Sequence, residues 1–521
     1  MTDELEILEF ANNGNHANGR AGTAWQATVI TQDDPRYQSM LRGMNHRWVG
    51  SPDYVRVVTS TEDVVDAVGI AVAQGKQIAV RSGGHGYENF TANEDVKVLL
   101  DMSEMTAVTY DSARRAFSIQ PGATLGHVYR VLFKGWGVTL PAGECPEVGI
   151  GGHLVGGGYG PLSRRYGSTV DFLCAVEVVV VDADGKARAV VATSEPDDPN
   201  RELWWAHTGG GGGNFGVVTR YWLRSPGATT SDPTELLPKA PGNWRVGFAM
   251  WSWEGMTEAA FTRITRNFGN RFERNSAPDS PYVNMTGFYE SLGRTAHVMV
   301  GASMDDGVPG AADLVTAYLA EITDGVEVAP MHQGQMTQPW LYGASFPGKG
   351  DPGNEQNRRF KLKAAYLRKG YKDEQIATLY RYMSTQDYIP ALILIGYGGQ
   401  VNTVASDATA IAQRDSILKA AFLSVWGSEA QDDEVLTRVR ELYRDLYAAT
   451  GGVPVPNEYN DGSYINYPDA DLADPAWNTS GVPWTTLYYK ENYPRLQQVK
   501  KRYDPRNTFH HRLAIELPVE L

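Results

Sequence analysis

Two side chains with nucleophilic chemistry stand in loops where core packing does not explain them. His85 lies among glycines in residues 81–86, and Cys145 lies in the polar turn 143–146. A thiol in such a turn is well placed to react. The second cysteine, Cys174, lies in an apolar run, where cysteine usually packs as a small hydrophobe. Taken alone, His85 is also typical of a turn, and Cys145 could be an exposed thiol without a role.

Three glycine-rich segments accompany these residues. They span residues 81–86, 149–160 and 209–216, each beside a predicted strand. Glycine lets backbone N–H groups approach an anion or a flat ring without a Cβ in the way. One such loop is more often a turn, whereas three of them indicate a large cofactor held by the backbone. Together, His85 and Cys145 suggest side chains held near the electrophilic ring of a flavin.

The spacing of Gly211, Gly213 and Gly216 matches a dinucleotide-binding fingerprint, which must follow a strand and open a helix. Here it follows the helix-like residues 203–206 and leads into the strand-like residues 217–219. The sequence therefore does not predict a Rossmann fold.

The whole chain limits the class of function. Its formal net charge of −14 argues against a nucleic-acid partner, because phosphate neutralisation needs clusters of Lys and Arg. No apolar run approaches the roughly 20 residues that span a bilayer, and the acidic start does not resemble a secretion signal. No acid or cysteine at ligand spacing accompanies His510 and His511, so no metal is expected. We predict a cytoplasmic protein without a membrane partner.

The pattern of elements predicts an α+β chain of more than one domain, since 521 residues exceed a single core. Short strands alternate with helices before residue 218, and one helix begins with a capping box at Ser60. Beyond residue 226, longer strands and amphipathic helices indicate an antiparallel sheet backed by helices. The predicted strands are 78–81, 96–101, 116–120, 175–182, 244–253, 296–303 and 391–397, and the later helices are 311–322, 432–448 and 493–503.

The motifs together resemble a known family. The three glycine-rich segments, with residues 120–126, 143–145, 203–206 and 491–507, resemble the berberine-bridge-enzyme-like flavin oxidases of the vanillyl-alcohol-oxidase superfamily. The resemblance implies an FAD-binding domain of two subdomains over residues 1–225 and a substrate domain over 226–450. It also implies that a C-terminal segment, 451–521, returns to the FAD-binding domain and contributes active-site tyrosines.

By this resemblance, His85 bonds the benzenoid methyl group of FAD and Cys145 bonds its carbon six. Two such bonds raise the reduction potential of the flavin and hold its ring in an open pocket. The alternative is two unmodified residues beside a non-covalent FAD. The other residues expected around the cofactor are Arg81, Ser82, Gly83, Gly84, Gly86, Tyr87, Gly143, Val148, Gly149, Gly152, His153, Gly157, Gly160, Gly216, Val218 and Asn466.

The expected catalytic base is a tyrosine. On a strand, Tyr464 and Asn466 would face one side while Tyr467 faces the other. An ordinary tyrosine pKa near about 10 is too high for an efficient base, so the flavin, a second tyrosine or a cation must assist. The resemblance offers Tyr159 as the second tyrosine. The alternative is that Tyr464 or Tyr467 only stacks on the flavin.

The resemblance is greatest to hexose oxidases of glycopeptide-antibiotic pathways. It implies that the primary alcohol of a sugar on a glycopeptide is oxidised through the aldehyde to the carboxylate, while O2 becomes H2O2. Alternatives are an oxidase of free oligosaccharides or of another glycosylated or phenolic natural product, or a flavin-binding protein without turnover. We expect a monomer or homodimer. The residues expected to bind substrate are Trp340, Met331 and Gln333.

Overall fold

A computed structural model describes residues 27–293, 296–344, 358–385 and 391–519 of the chain. Three β-sheets account for the strands in these ranges. Helices pack against the sheets, so the predicted α+β class is confirmed.

The first sheet has four strands and carries the loop of His85. Its order is β1-β2-β4-β3, with parallel pairs β2/β4 and β3/β4. Helix α1 covers it and begins at Ser60, whose side chain and that of Asp63 form the predicted capping box. The elements are β1 Thr28–Thr31, β2 Tyr54–Val57, α1 Thr61–Ala73, β3 Gln77–Arg81 and β4 Val96–Asp101.

The second sheet has five antiparallel strands in the order β5-β6-β9-β7-β8. The connection between β6 and β7 leaves the sheet and carries Cys145 and Tyr159. The elements are β5 Val108–Asp111, β6 Ala116–Ile119, α2 Leu125–Trp136, α3 Ile150–Val155, α4 Ser163–Tyr166, β7 Leu173–Val181, β8 Ala187–Thr193, α5 Arg201–Ala206 and β9 Val217–Leu223.

The third sheet has seven antiparallel strands in the order β13-β10-β12-β11-β15-β16-β14. Amphipathic helices cover one face, as the sequence predicts, and the other face looks onto a cavity. The elements are β10 Asn243–Ser252, α6 Glu258–Asn275, β11 Met285–Ser291, β12 His297–Asp305, α7 Ala311–Thr323, β13 His332–Pro339, α8 Trp340–Gly343, β14 Arg359–Leu367, α9 Asp373–Thr385, β15 Ala391–Gly396, β16 Leu418–Trp426 and α10 Asp432–Leu446.

The C-terminal segment passes back to the second sheet. It contains α11 Trp484–Tyr489 and α12 Tyr493–Tyr503. The backbone N–H of Ile515 donates to Asn214 Oδ1 at 2.8 Å, and Lys500 Nζ donates to the Asn214 carbonyl at 2.7 Å. The segment is thereby attached to the third glycine-rich loop. The first two sheets lie before residue 225 and the third between 226 and 450, whereas the domain boundaries stay a prediction.

Candidate active site

One cavity of about 1250 Å³ brings the predicted site residues together. It lies between the three glycine-rich loops and the open face of the seven-stranded sheet. His85, Cys145 and the three candidate tyrosines all line it. The predicted cofactor residues that line it as well are Arg81, Ser82, Gly83, Gly84, Gly86, Tyr87, Gly143, Val148, Gly149, Gly152, His153, Gly160, Gly216, Val218 and Asn466.

Gly157 is the exception among the predicted cofactor residues, because it does not line the cavity. The side chains of Ile411 and Tyr464 lie over the position that a Cβ of Gly157 would occupy. The prediction for this residue is corrected: its place is beneath the tyrosine cluster.

Close backbone packing holds the loops of His85 and Cys145 side by side. A Cβ on Gly83 would lie 2.4 Å from the backbone nitrogen of Gly149, so only glycine allows this approach. The Ser82 hydroxyl donates to the Pro121 carbonyl at 2.6 Å. These contacts explain how two residues distant in sequence face one cavity.

The cavity fits the FAD that the sequence predicts. Pockets for drug-sized ligands typically measure about 300–1,000 Å³, so this volume exceeds the needs of a small ligand alone. The Cβ position of Gly152 meets no atom of the described residues within 4 Å and opens into the cavity. A ring can therefore lie against the backbone here, between His85 and Cys145. Within the described ranges, no group of three His, Cys, Asp or Glu residues could hold a metal ion.

The candidate tyrosines Tyr464 and Tyr467 lie on a turn, so the predicted strand is wrong. The Tyr467 backbone N–H donates to the Tyr464 carbonyl at 2.8 Å, which closes a turn. Tyr464 and Tyr467 consequently do not face opposite sides, and their ring centroids are 5.1 Å apart. Glycine before and proline after the segment were the available signals of a turn.

The tyrosine hydroxyl groups form two hydrogen-bonded sets. Those of Tyr159 and Tyr467 share a hydrogen bond of 2.8 Å. The Tyr464 hydroxyl accepts from the Gly158 backbone N–H at 3.0 Å and from Asn466 Nδ2 at 3.0 Å. Two donors engage the hydroxyl of Tyr464, whereas the hydroxyl groups of Tyr159 and Tyr467 are hydrogen-bonded to each other. A proton can pass between the two hydroxyl groups of that pair.

Lys419 is a functional residue that the sequence analysis missed. It lies on β16, with Nζ 3.4 Å from the ring centroid of Tyr159 and 3.7 Å from that of Tyr464. Tyr366 and Tyr397 complete the aromatic shell around it, at 4.6 and 4.5 Å. A lysine in an otherwise apolar strand was the only sequence signal. Its ammonium form is the nearest counterpart in this cluster to the cation that the sequence analysis expected beside a tyrosine base.

Burial acts oppositely on the two kinds of group in this cluster. Burial, with Tyr467 as a neighbour, raises the pKa of Tyr159 well above its usual value. Burial, with the charge of Arg414, lowers the pKa of Lys419 well below its usual value. Each of these pKa shifts disfavours an isolated charge on the group concerned. The cluster therefore holds either two neutral groups or an ammonium ion facing a tyrosinate, whose charges attract each other.

His153 connects the loop of Cys145 to the tyrosine turn. Burial, with the charge of Lys419, lowers the pKa of His153 to about 4, so its ring is neutral near pH 7. Its Nε2 accepts from the Gly143 backbone N–H at 3.3 Å, and its carbonyl accepts from Asn466 Nδ2 at 2.7 Å. His153 thereby orders the cavity wall through both its side chain and its backbone.

The face of the seven-stranded sheet provides a largely apolar wall opposite the glycine loops. Because side chains alternate along a strand, the even-numbered residues of β10 and β13 face the cavity. The residues of the wall that line the cavity include Val246, Phe248, Met250, Phe288, Met299, Met336, Gln338, Ile393 and Ile395.

The three predicted substrate residues do not line this cavity. Met331 and Gln333 are exposed, because odd-numbered positions face the helical side, where Gln335 donates to Thr316 Oγ1 of α7 at 2.7 Å. Trp340 is buried in a separate cluster with Trp244, at a centroid distance of 5.1 Å. The sequence pattern identified the segment that forms β13, but not which of its alternating side chains face the cavity.

His510 and His511, which the sequence analysis set aside as a polar turn, also line the cavity. The ring of His511 stacks on Phe90 at a centroid distance of 4.0 Å, and its Nε2 donates to the Gly212 carbonyl at 3.0 Å. The return of the C-terminal segment brings them there, and no local pattern indicates it.

Comparisons with known proteins agree with this site. A model described as FAD binding domain matches residues 52–190, and one described as berberine and berberine like matches residues 463–516. Aclacinomycin-N/aclacinomycin-A oxidase of Streptomyces galilaeus is 52% identical over 96% of this chain and 92% of its own. Hexose oxidase of Chondrus crispus is 31% identical over 92% of this chain and 93% of its own.

Solved structures share this fold over most of the chain. Aclacinomycin oxidoreductase has a TM-score of 0.92 at 52% identity, covering 95% of this chain and 100% of that one. A glycopeptide hexose oxidase complexed with teicoplanin has a TM-score of 0.90 at 50% identity, covering 94% and 99%. Within the described ranges, no helix has the length and apolar character needed to cross a membrane. The chain is therefore an FAD-linked oxidase and belongs to the berberine-bridge-enzyme-like family.

Proposed function

We propose that this enzyme holds FAD by two covalent bonds, through His85 and Cys145, and oxidises a carbinol group of a sugar on a glycosylated natural product. The observation that carries the proposal is the hydroxyl pair of Tyr159 and Tyr467, 2.8 Å apart, in the cavity that His85 and Cys145 also line. Two attachment residues and a proton acceptor thus share one cavity.

The tyrosine pair removes the carbinol proton. Tyr467 is the less buried of the two and accepts the carbinol proton as the tyrosinate, whose negative charge Tyr159 shares through their hydrogen bond before the transfer. Lys419 against the ring of Tyr159 stabilises that charge. Bound FAD would accept the hydride of the same carbon and pass the electrons to O2, which gives H2O2. The hydrogen bond between the two hydroxyl groups lets the accepted proton be shared between Tyr467 and Tyr159.

The substrate that we propose is the primary alcohol of a sugar on a glycopeptide scaffold, taken to the aldehyde and then to the carboxylate. The 50% identical oxidase complexed with teicoplanin supports this choice. A second candidate is a sugar on a polycyclic aromatic aglycone. It is favoured by the 52% identity with an aclacinomycin oxidase and by the apolar wall of Phe248, Phe288 and Met250. A cytoplasmic location and a monomer or homodimer remain predictions.

Flavin attachment is tested by intact mass and absorption before and after acid denaturation. We expect the wild type and both single variants, His85→Ala and Cys145→Ala, to retain flavin on the chain, because one bond is sufficient. Only the double variant should release all of it. Cys174→Ala serves as the control, since that thiol lies on β7, away from the cavity. Release of all flavin from the wild type would contradict the proposal.

The role of the tyrosines is tested by Tyr467→Phe and Tyr159→Phe. Loss of a general base costs about 10²- to 10⁴-fold, so we expect kcat to fall within that range in at least Tyr467→Phe. Oxygen uptake is measured with teicoplanin and with aclacinomycin, side by side. Tyr37→Phe is the control, because Tyr37 donates to the Pro52 carbonyl far from the cavity. An unchanged kcat in both variants would exclude a tyrosine base, and the preferred acceptor decides between the two substrates.

A further inference from the structure

A buried ionic cluster joins three segments that meet beside the cavity. Lys361 Nζ, on β14, lies 2.8 Å from Glu88 Oε1 and 2.7 Å from Asp469 Oδ1. Lys363 Nζ, on the same strand, lies 2.5 Å from Asp469 Oδ2 and 2.9 Å from Asp471 Oδ2. The exposed fractions of these side chains range from 1% to 8%. Charges this deeply buried determine where their segments can lie.

The cluster is balanced in charge. Arg440 of α10 donates to both carboxylate oxygens of Asp471, at 2.9 and 3.0 Å, and adds a third cation to the three carboxylates. A buried charge without a partner is strongly unfavourable. Removing one member therefore leaves another uncompensated, and the segments that carry them must move or admit water.

The two carboxylates that Lys361 bridges belong to the two halves of the site. Glu88 is the third residue after His85, and Asp469 is the second residue after Tyr467. The Ala470 backbone N–H also donates to Glu88 Oε1, at 3.3 Å. Next to this bridge, the rings of Tyr87 and Tyr467 meet edge to face at 5.9 Å. The loop of His85 and the tyrosine turn are thus connected by an ionic bridge, a hydrogen bond and an aromatic contact.

We propose that Lys361 is a positioning residue, whose bridge between Glu88 and Asp469 fixes the loop of His85 relative to the turn of Tyr464–Tyr467. The bridge sets the distance between the point where FAD is attached and the base that serves it. The inference rests on the proposed role of His85 in attachment. It concerns geometry, because Lys361 does not line the cavity that the site residues share.

The test uses full-length protein in a Cys145→Ala background, where His85 is the only attachment point. Lys361→Met and Glu88→Gln each break the bridge, and Arg359→Met is the matched control. Arg359 lies on the same strand and makes a doubly hydrogen-bonded ion pair with Asp432, at 2.6 and 2.5 Å, away from the cavity. The readouts are the fraction of chains that keep flavin after acid denaturation, the visible circular dichroism of bound flavin, and the melting temperature.

We expect Lys361→Met and Glu88→Gln to lower the covalently held fraction at least about three-fold, since a misplacement of about 1 Å slows a chemical step greatly. Arg359→Met should lower only the melting temperature. Unchanged attachment and dichroism in Lys361→Met or in Glu88→Gln would overturn the inference, and so would an equal loss in Arg359→Met.

The outcome also separates this inference from the proposed function. If the Cys145→Ala parent itself releases all flavin, attachment through His85 is wrong. The dichroism of the non-covalently bound flavin then decides about Lys361: a change in Lys361→Met that Arg359→Met does not share supports its positioning role, and no change overturns it.

Discussion

At the scale of single residues, one buried lysine lies among aromatic rings in the candidate site. Lys419 has four tyrosine rings within 3.4 to 4.6 Å of its ammonium nitrogen. Ring faces attract a cation without neutralising it, as a carboxylate would. The charge consequently remains available to a tyrosinate on Tyr159 or Tyr467, which is where the reaction needs it.

Lys419→Met should raise the pH at which the enzyme becomes active. The ammonium ion favours the ionised tyrosine, so its removal raises the pKa of the base, and the rate recovers only at higher pH. A charge at about 4 Å contributes roughly 1 kcal/mol in water and about 4 kcal/mol at an effective dielectric of 20, which corresponds to about one to three pH units. The measurement is kcat against pH.

The control for this prediction is Lys372→Met. Lys372 Nζ lies 3.9 Å from the ring centroid of Tyr459, the same type of contact outside the cavity. Its pH profile should match that of the wild type. An unshifted profile in Lys419→Met would show that the cation has no part in ionising the base.

At the scale of elements, the sequence predicted the bounds of helices and strands that depend on local interactions. The helix at 493–503 matches Tyr493–Tyr503, and the strand at 244–253 is shifted by one residue from Asn243–Ser252. Periodicity and caps act over a few residues, so sequence alone reveals them.

Other elements depend on distant partners, and the sequence did not reveal them. The strand Arg359–Leu367 carries Lys361 and Lys363, which suggest an exposed edge, although both are buried because Glu88 and Asp469 reach them. Likewise, the turn at Tyr464–Tyr467 was read as a strand, because its aromatic residues favour strands when tertiary contacts are unknown. The predicted substrate residue Gln333 likewise lies on the opposite side of β13 from Met336 and Gln338, which line the cavity.

Helix α3 offers a test of the cofactor cradle at this scale. Gly152→Ala should fold well, because alanine in a helix is favoured over glycine by about 1 kcal/mol and its Cβ meets no described atom within 4 Å. That methyl group would, however, occupy the space where a ring lies against the backbone. We expect fewer chains to carry flavin, measured as the ratio of visible to ultraviolet absorbance.

Gly135→Ala is the matched control for Gly152→Ala. Gly135 lies in helix α2 outside the cavity, and its Cβ position is equally open. Full flavin content is expected there. Equal flavin content in Gly152→Ala would place the cofactor elsewhere.

At the scale of the whole molecule, buried contacts attach the C-terminal segment to the third glycine-rich loop. Lys500 is fully buried and pairs with Asp504 at 2.6 Å, while it also donates to the carbonyls of Asn214 and Phe509. One ammonium group thereby joins helix α12, the third glycine-rich loop and the chain that leads to His511. These contacts of Lys500, here called the clamp, link helix α12 to the cavity.

Lys500→Met should destabilise the protein by about 3–5 kcal/mol, because it leaves the carboxylate of Asp504 buried without its counter-ion. The measurement is the free energy of unfolding from urea titration, followed by tyrosine and tryptophan fluorescence. Lys501→Met, at the exposed neighbouring position, is expected to change it by less than about 0.5 kcal/mol. Similar values for the two variants would mean that the clamp carries little of the stability.

The position of the tyrosine turn has a consequence for biosynthesis. During translation, His85 and Cys145 leave the ribosome before Tyr464, Tyr467 and the cavity residues His510 and His511. A nascent chain therefore carries the two proposed attachment residues before it has the proposed base. A polypeptide that stops before Tyr464 consequently cannot turn over substrate, even if it captures flavin.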